Sequence, residues 1–288
     1  MNQELIKRLR EKESKMIEIR RYLHEHPELS FHETETPQYI ADFYKEKDCD
    51  VETNVGPNGV KVTIDSGKSG KTIAIRADFD ALPIEEQTGL SFASKNKGVM
   101  HACGHDAHTA YMLILGETLI EMKEQFKGKV VIIHQPAEEM PPGGAQGMIK
   151  DGVLDGVDHV LGAHVMSTME AGKVFYKEGY VQTGRAYFKL VVQGKGGHGS
   201  SPHMANDAIV AGSNFVTTAQ TVVSRRLNPF ETGVVTIGSF DGKGQFNVIK
   251  DQIEIEGDVR ALTDQTRDTI QQELTRIVKG IELSLIHI

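Results

Sequence analysis

"KVVIIHQPAEE", residues 129–139, opens with an uninterrupted apolar run from Val130 to Ile133 and closes on two adjacent glutamates, Glu138 and Glu139. A strand apolar at every position, rather than at every second one, is covered on both faces, as in a sheet packed between helices. The run predicts an inner strand with the glutamates at its carboxyl end. Upstream, "KTIAIRADFD" (71–80) predicts a second strand ending in Asp78 and Asp80, and downstream "VDHVLGAH" (157–164) predicts a short inner strand ending at His164. "GVKVTI" (59–64) alternates Val60, Val62 and Ile64 with polar neighbours, and the turn "DSGKSG" joins it to 71–80, so a hairpin-like pair is expected there.

Helical spacing surrounds these strands. Leu5, Leu9, Met16, Ile19 and Leu23 mark an N-terminal amphipathic helix ended by Pro27, and Tyr111, Met112, Leu115 and Leu119 line a helix starting near Asp106. Strands alternating with helices give an α/β domain with a mainly parallel sheet. From "EGYVQTGRAYF" (178–188) the texture changes. An alternating strand, a helix over Ala205 to Ser224, the strands "GVVTIGSF" and "QIEIEGDVR", and a last helix from about Asp264 spell β-α-β-β-α. That is most of a ferredoxin-like α+β unit, which takes one more strand. Two domains are expected, 1–183 and 184–288, the second ending at "ELSLIHI" before that last strand.

With 288 residues, 39% hydrophobic and 25% charged, the composition is that of a globular protein. A net charge of −8 argues against a nucleic-acid partner, and no window has the length of a membrane span or the pattern of a secretory signal. Cytoplasmic location is the expectation. The two cysteines, Cys49 and Cys103, sit in unlike contexts, so no disulfide framework is read.

"VMHACGHDAHTA" (99–110) concentrates three histidines, a cysteine and an aspartate. In an open α/β sheet, ligands gather outside the carboxyl ends of the strands. Four segments, bearing Asp78 with Asp80, Cys103 with His105, Glu138 with Glu139, and His164, therefore converge on one rim. A thiolate beside an imidazole suits zinc or another late divalent ion. Two neighbouring glutamates suit a division of labour in which one binds metal and the other moves protons; spacing does not say which. Asp78 pairs with Arg76 or caps, Asp80 orients a ligand or water, and His101 and His108 pack or support the ligands. Cys49 is incidental, His203 is open between a loop contact and an interface, and His24, His26, His32, His134 and His159 are structural.

These segments resemble the dinuclear-metal aminoacylase and carboxypeptidase clan, in its branch of N-acyl-amino-acid amidohydrolases, hippurate hydrolases and auxin-conjugate hydrolases. The resemblance runs from "RRYLHEHPELS" through "RADFDALPIEEQTGL", "MHACGHDAHTA", "HQPAEE…GGAQGMI", "LGAHV", "GKGGHGSSPH", "SRRLNP" and "FNVI" to "GDVR". It implies two divalent ions, manganese or zinc, held by Cys103, His105, Glu139 and His164, with Glu138 as general base and proton shuttle. It implies a catalytic domain carrying an inserted lid and dimerisation domain, hence a homodimer. In that lid His198 helps hold the scissile carbonyl, in its own or a neighbouring subunit's site, while Asn247 and Arg260 grip the substrate carboxylate. Relatives continue past the lid and supply a final histidine ligand; this chain ends first, and His287 stands in no matching context, so a C-terminally truncated member is expected. The implied reaction is cleavage of N-acyl amino acids, acetyl or benzoyl among them, to an amino acid and a carboxylic acid. A metallo-carboxypeptidase or dipeptidase, and an inactive metal-binding fragment, are the alternatives.

Overall fold

The computed structural model describes residues 2–284, so His287 lies outside the described residues. Two compact units divide the chain, Met1–Ala171 and Gly172–Ile288. The division falls twelve residues before the boundary at 183/184 expected from sequence texture, because the exposed stretch 172–183 groups with the second unit.

In the first unit α1 (Asn2–Glu11), α2 (Glu13–Glu25) and α3 (Glu35–Tyr44) precede β1 (Asp50–Val55), β2 (Gly59–Asp65) and β3 (Thr72–Asp78). After α4 (His105–Glu121) come β4 (Lys129–Gln135), α5 (Gly144–Lys150) and β5 (His159–Gly162). The five strands form one sheet in the order β1-β2-β4-β3-β5. Strands β3, β4 and β5 run parallel, β1 shares their direction, and only β2 opposes them.

The apolar run of β4 takes the central place. Ile132 faces a core with Val60, Val62 and Ile64 of β2, Leu23 of α2, Tyr44 of α3 and Leu113 of α4. Val131 and Ile133 face the opposite core, with Ala74, Met148 and Val153. Burial on both faces is what an unbroken apolar strand dictates.

Three expectations need correction. The hairpin between 59–64 and 71–80 does not form: β4 inserts between β2 and β3, and β2 instead makes its hairpin with β1, whose polar "DVETNV" hid a mostly exposed strand. β5 is an exposed edge strand, not an inner one. The N-terminal helical stretch is two helices meeting at Lys12.

The second unit holds β6 (Gly184–Gln193), β7 (Gly197–His198), α6 (Ala208–Arg225), β8 (Gly233–Asp241), β9 (Val248–Ile249), β10 (Gln252–Ala261) and α7 (Asp264–Ser284). Its main sheet has the order β6-β10-β8, all antiparallel, and β7 pairs with β9 in a second small sheet. Alternate residues of β10, among them Ile253, Ile255 and Val259, are buried with Phe215 of α6 and with Ile270 and Leu274 of α7. This is the β-α-β-β-α order read from the sequence, with α6 starting at Ala208 because Asp207 caps it through the N–H groups of Ile209 and Val210. No described helix is long and apolar enough to cross a membrane.

Candidate functional site

The site stands at the carboxyl ends of β3, β4 and β5. Asp78 ends β3 in register with Gln135 at the end of β4, and Arg76 lies opposite Gly162 at the end of β5. Just beyond those ends come Asp80, the glutamate pair and His164. Helix α4 brings the remaining members. Gly104 before it has φ +89°, and a Cβ there would lie 2.4 Å from Val165 Cγ2, so only glycine lets Cys103 and His105 turn in beside the β5 exit.

Ligand atoms of Cys103, His105 and His164 lie within 4.8 Å of one another, as do those of His105, Glu138 and Glu139, and those of Asp78, His105 and His108. Cys103 Sγ is 3.4 Å from His164 Nε2, and His105 Nε2 is 3.9 Å from Glu139 Oε1. The protons on the rings are set by what the other nitrogens meet. His105 Nδ1 faces the Asp80 carbonyl at 2.9 Å, and His164 Nδ1 faces the Val165 carbonyl at 2.6 Å. A carbonyl only accepts, so each Nδ1 carries hydrogen and each Nε2 turns a lone pair inward.

A supporting ring of hydrogen bonds surrounds these groups. Asp80 Oδ1 lies 3.1 Å from His105 Nδ1, while Asp80 Oδ2 accepts from Ser30 Oγ at 2.7 Å and from the Glu139 N–H at 2.9 Å. His108 Nε2 accepts the Val165 N–H at 3.0 Å, so its Nδ1–H donates to Asp78 at 2.6 Å. Arg76 completes the pairing of Asp78. Of the two readings of Asp78, the pairing with Arg76 is the one present, Asp80 faces His105, and His108 is buried against Asp78.

The electrostatics ask for positive charge. Burial, reinforced by the neighbouring Glu139, pushes the Cys103 thiol up to about 12. Burial and then the charges of Glu139 and Asp78 hold Glu138 above the ordinary carboxyl range. For Asp78 burial works the other way from its partners; the His108 hydrogen bond and the charges of His105 and Arg76 prevail and hold it well below that range. His105 Nε2 and Glu139 Oε1 are buried without a hydrogen-bond partner. Two orphaned donor atoms, a thiol that needs a cation to ionise, and a mixed sulfur, nitrogen and oxygen set fit bound divalent metal.

Sequence reading missed several contacts packed around the site. His24, read as structural without partners, is buried with Nδ1 2.8 Å from Asp106, which Arg20 also pairs at 2.7 Å, and with Nε2 3.3 Å from Glu86. Ser30 sits in a polar turn that no periodicity marks. His101 is buried, and burial lowers it to about 4, in keeping with a packed neutral ring.

The other expected residues lie in the second unit. His198 pairs with Val248 across the β7–β9 sheet, and the Asn247 carbonyl accepts the Gly199 N–H at 2.9 Å, so these two stand together. His198 Nδ1 accepts the Ser200 N–H at 3.2 Å, which leaves its proton on Nε2. Arg260 lies on β10 in the separate three-stranded sheet, with Nε 2.6 Å from Asp258. His203 is exposed in a single 3₁₀ turn, Pro202–Met204.

With this geometry in hand, the family follows from comparison. Residues 74–281 match the model of peptidase family M20/M25/M40. The chain belongs to that family. It is 41% identical over 282 residues to an N-acyl-L-amino acid amidohydrolase of Geobacillus stearothermophilus, covering 98% of this chain and 76% of the relative. Among solved structures, an aminohydrolase-type protein from methicillin-resistant Staphylococcus aureus is 79% identical with a TM-score of 0.92, covering 98% of this chain and 75% of that one. A dinuclear metal-binding M20 peptidase of Bacillus subtilis is 36% identical with a TM-score of 0.77, covering 94% of this chain and 70% of that one. The chain spans about two thirds of the length of two curated Bacillus subtilis relatives.

Proposed function

We propose that this chain is a metal-dependent amidohydrolase that releases an amino acid and a carboxylic acid from N-acyl amino acids. The observation that carries the reading is the convergence of Cys103, His105, His164, Glu138 and Glu139 at one sheet rim, with His105 Nε2 and Glu139 Oε1 buried and unpartnered. In this reading Cys103, His105, Glu139 and His164 hold two divalent ions, zinc or manganese. When bound, the ions supply Lewis-acid polarisation of the amide carbonyl and acidify an attacking water.

The protein groups divide the remaining work. Glu138 takes the proton of the attacking water and returns it to the leaving amine; a carboxyl held above its ordinary range is suited to both transfers. His198, with Nδ1 occupied by the Ser200 N–H, offers Nε2–H to the carbonyl oxygen as negative charge develops there. Asn247 and Arg260 bind the substrate carboxylate, and Asp258 orients the Arg260 guanidinium by taking its Nε–H. The first unit is the catalytic domain and the second the lid through which a homodimer forms, in the cytoplasm.

The test is Glu138→Gln. It keeps the metal, whose ligands are untouched, and loses turnover of N-benzoylglycine by at least about 10²-fold, the usual weight of a positioned base. Turnover near the wild-type rate would remove Glu138 from the mechanism. A panel of N-acyl amino acids set against dipeptides separates this reading from a carboxypeptidase.

A further inference from the structure

Between α2 and α3 two polar side chains three residues apart, Ser30 and Glu33, are buried, and both reach the glutamate pair. Ser30 does so through Asp80, whose Oδ2 also accepts the Glu139 N–H. Glu33 does so one residue short of it: its Oε1 accepts the N–H of Ala137, the residue before Glu138, at 2.7 Å. One short loop thus braces the pair from both ends.

Ala137 is the unusual link. It is fully buried and has φ +49°, a left-handed backbone that a residue with a Cβ adopts only where its surroundings impose it. Those surroundings are two hydrogen bonds. Glu33 takes the N–H, and the Ala137 carbonyl accepts from Gly144 N–H at 2.9 Å. Glu33 is itself fixed, because Asn58 Nδ2 donates to its carbonyl. A side chain only 1% exposed, on a segment 104 residues away in sequence, therefore grips the chain where it leaves β4 toward the carboxylates.

Resting on the reading of Glu138 as the base, we propose that Glu33 is a positioning residue: by holding the Ala137 N–H it locks the left-handed turn that aims Glu138. The acceptor it offers survives protonation. Burial, then repulsion from Asp80 and Glu28, raises Glu33 to about 7, and the neutral acid keeps a carbonyl oxygen for Ala137. Its second oxygen, buried without a partner, makes no other use of the carboxyl evident among the described residues.

Four variants of the full chain, loaded with zinc or manganese, test this with N-benzoylglycine as substrate: Glu33→Gln, Glu33→Leu, Glu33→Leu with Ala137→Gly, and Glu138→Gln. Bound metal, unfolding midpoint, kcat and KM are measured for each. Glu33→Leu removes the acceptor and is expected to lower kcat about 10–100-fold, the scale of a misplacement near 1 Å. Its KM stays within about threefold and its metal content is unchanged, since Asp80 still holds Glu139. Glu33→Gln keeps an acceptor oxygen and stays within about threefold of wild type in kcat. Ala137→Gly, which takes left-handed backbone without penalty, restores part of the kcat lost in Glu33→Leu. Wild-type kcat in Glu33→Leu overturns the proposal. So does an equal loss in Glu33→Gln, or loss of fold or metal in Glu33→Leu, either of which makes Glu33 a structural charge instead. Glu138→Gln separates the two readings: if it still turns over, the base assignment fails, whereas an inactive Glu138→Gln beside an unimpaired Glu33→Leu contradicts only the positioning role.

Discussion

Replacing Asp80 with asparagine measures what the carboxylate behind the ligands does. Its Oδ1 lies 3.1 Å from His105 Nδ1, and its Oδ2 accepts from Ser30 Oγ and the Glu139 N–H. The Asp80 backbone carbonyl, 2.9 Å from the same Nδ1, keeps the imidazole proton there in the variant. The amide NH₂ meets a fixed donor in either orientation, the Glu139 N–H on one side or His105 Nδ1–H on the other, while the Ser30 hydroxyl can turn and accept. One donor is left facing another, at about 1–3 kcal/mol, and His105 loses the negative charge that makes it a stronger ligand. Partners of this kind typically carry about 10–100-fold in metal affinity, or about 1.4–2.8 kcal/mol. A competition titration of zinc against a chromophoric chelator should show that loss in a folded Asp80→Asn protein. Affinity within about twofold of wild type would refute the reasoning, because the second layer of hydrogen bonds would then not be tuning His105.

Other expectations follow from single contacts. Glu33 has a folded value of about 7 against an ordinary 4.5, so the fold favours its protonated form. That contribution is complete below about pH 4.5 and is lost as the pH rises through 7; metal-free wild type should lose about 3 kcal/mol relative to Glu33→Gln across that window. Urea unfolding at the two ends of the window checks it, and a constant difference between the proteins would contradict it. A Cβ on Gly116 would lie 2.4 Å from Tyr44 Oη and 2.7 Å from Ile132 Cδ1. Gly116→Ala should therefore cost about 1–3 kcal/mol by chemical denaturation despite the better helix propensity of alanine. An unchanged or raised stability would show that α4 has room to shift on the sheet.

The sequence made the fold legible where physics acts locally. The unbroken apolar run at 130–133 announced a central strand, and alternation in "AYFKLVVQG" (186–194) announced one whose alternate residues are the less exposed, as in β6. Strand β1 was not legible, because "DVETNV" is mostly exposed and carries no periodic signal. The hairpin error has the same root: which strand inserts between β2 and β3 is settled by the burial demand of β4, not by the length of the turn between them. At the site, the residues that come together announced themselves by type, Glu138, Glu139 and His164 also by their places after strand ends and Cys103 and His105 by their spacing. The buried polar residues packed around them did not. Ser30 and Glu33 reach their partners across 50 and 104 residues of chain, and His24 reaches Asp106 across 82. Serine, glutamate and histidine in a polar turn or on a helix read as surface until tertiary packing buries them.

The central claim, that the cluster at 99–110 is part of a metal centre, is tested most directly by metal content. The folded wild type and Cys103→Ser are dialysed side by side after loading with zinc or manganese, and bound ion per chain is measured by mass spectrometry. The account predicts bound metal in the wild type and a clear fall in Cys103→Ser with the fold retained. A folded wild type that holds no metal, or a Cys103→Ser protein that holds as much, would contradict it.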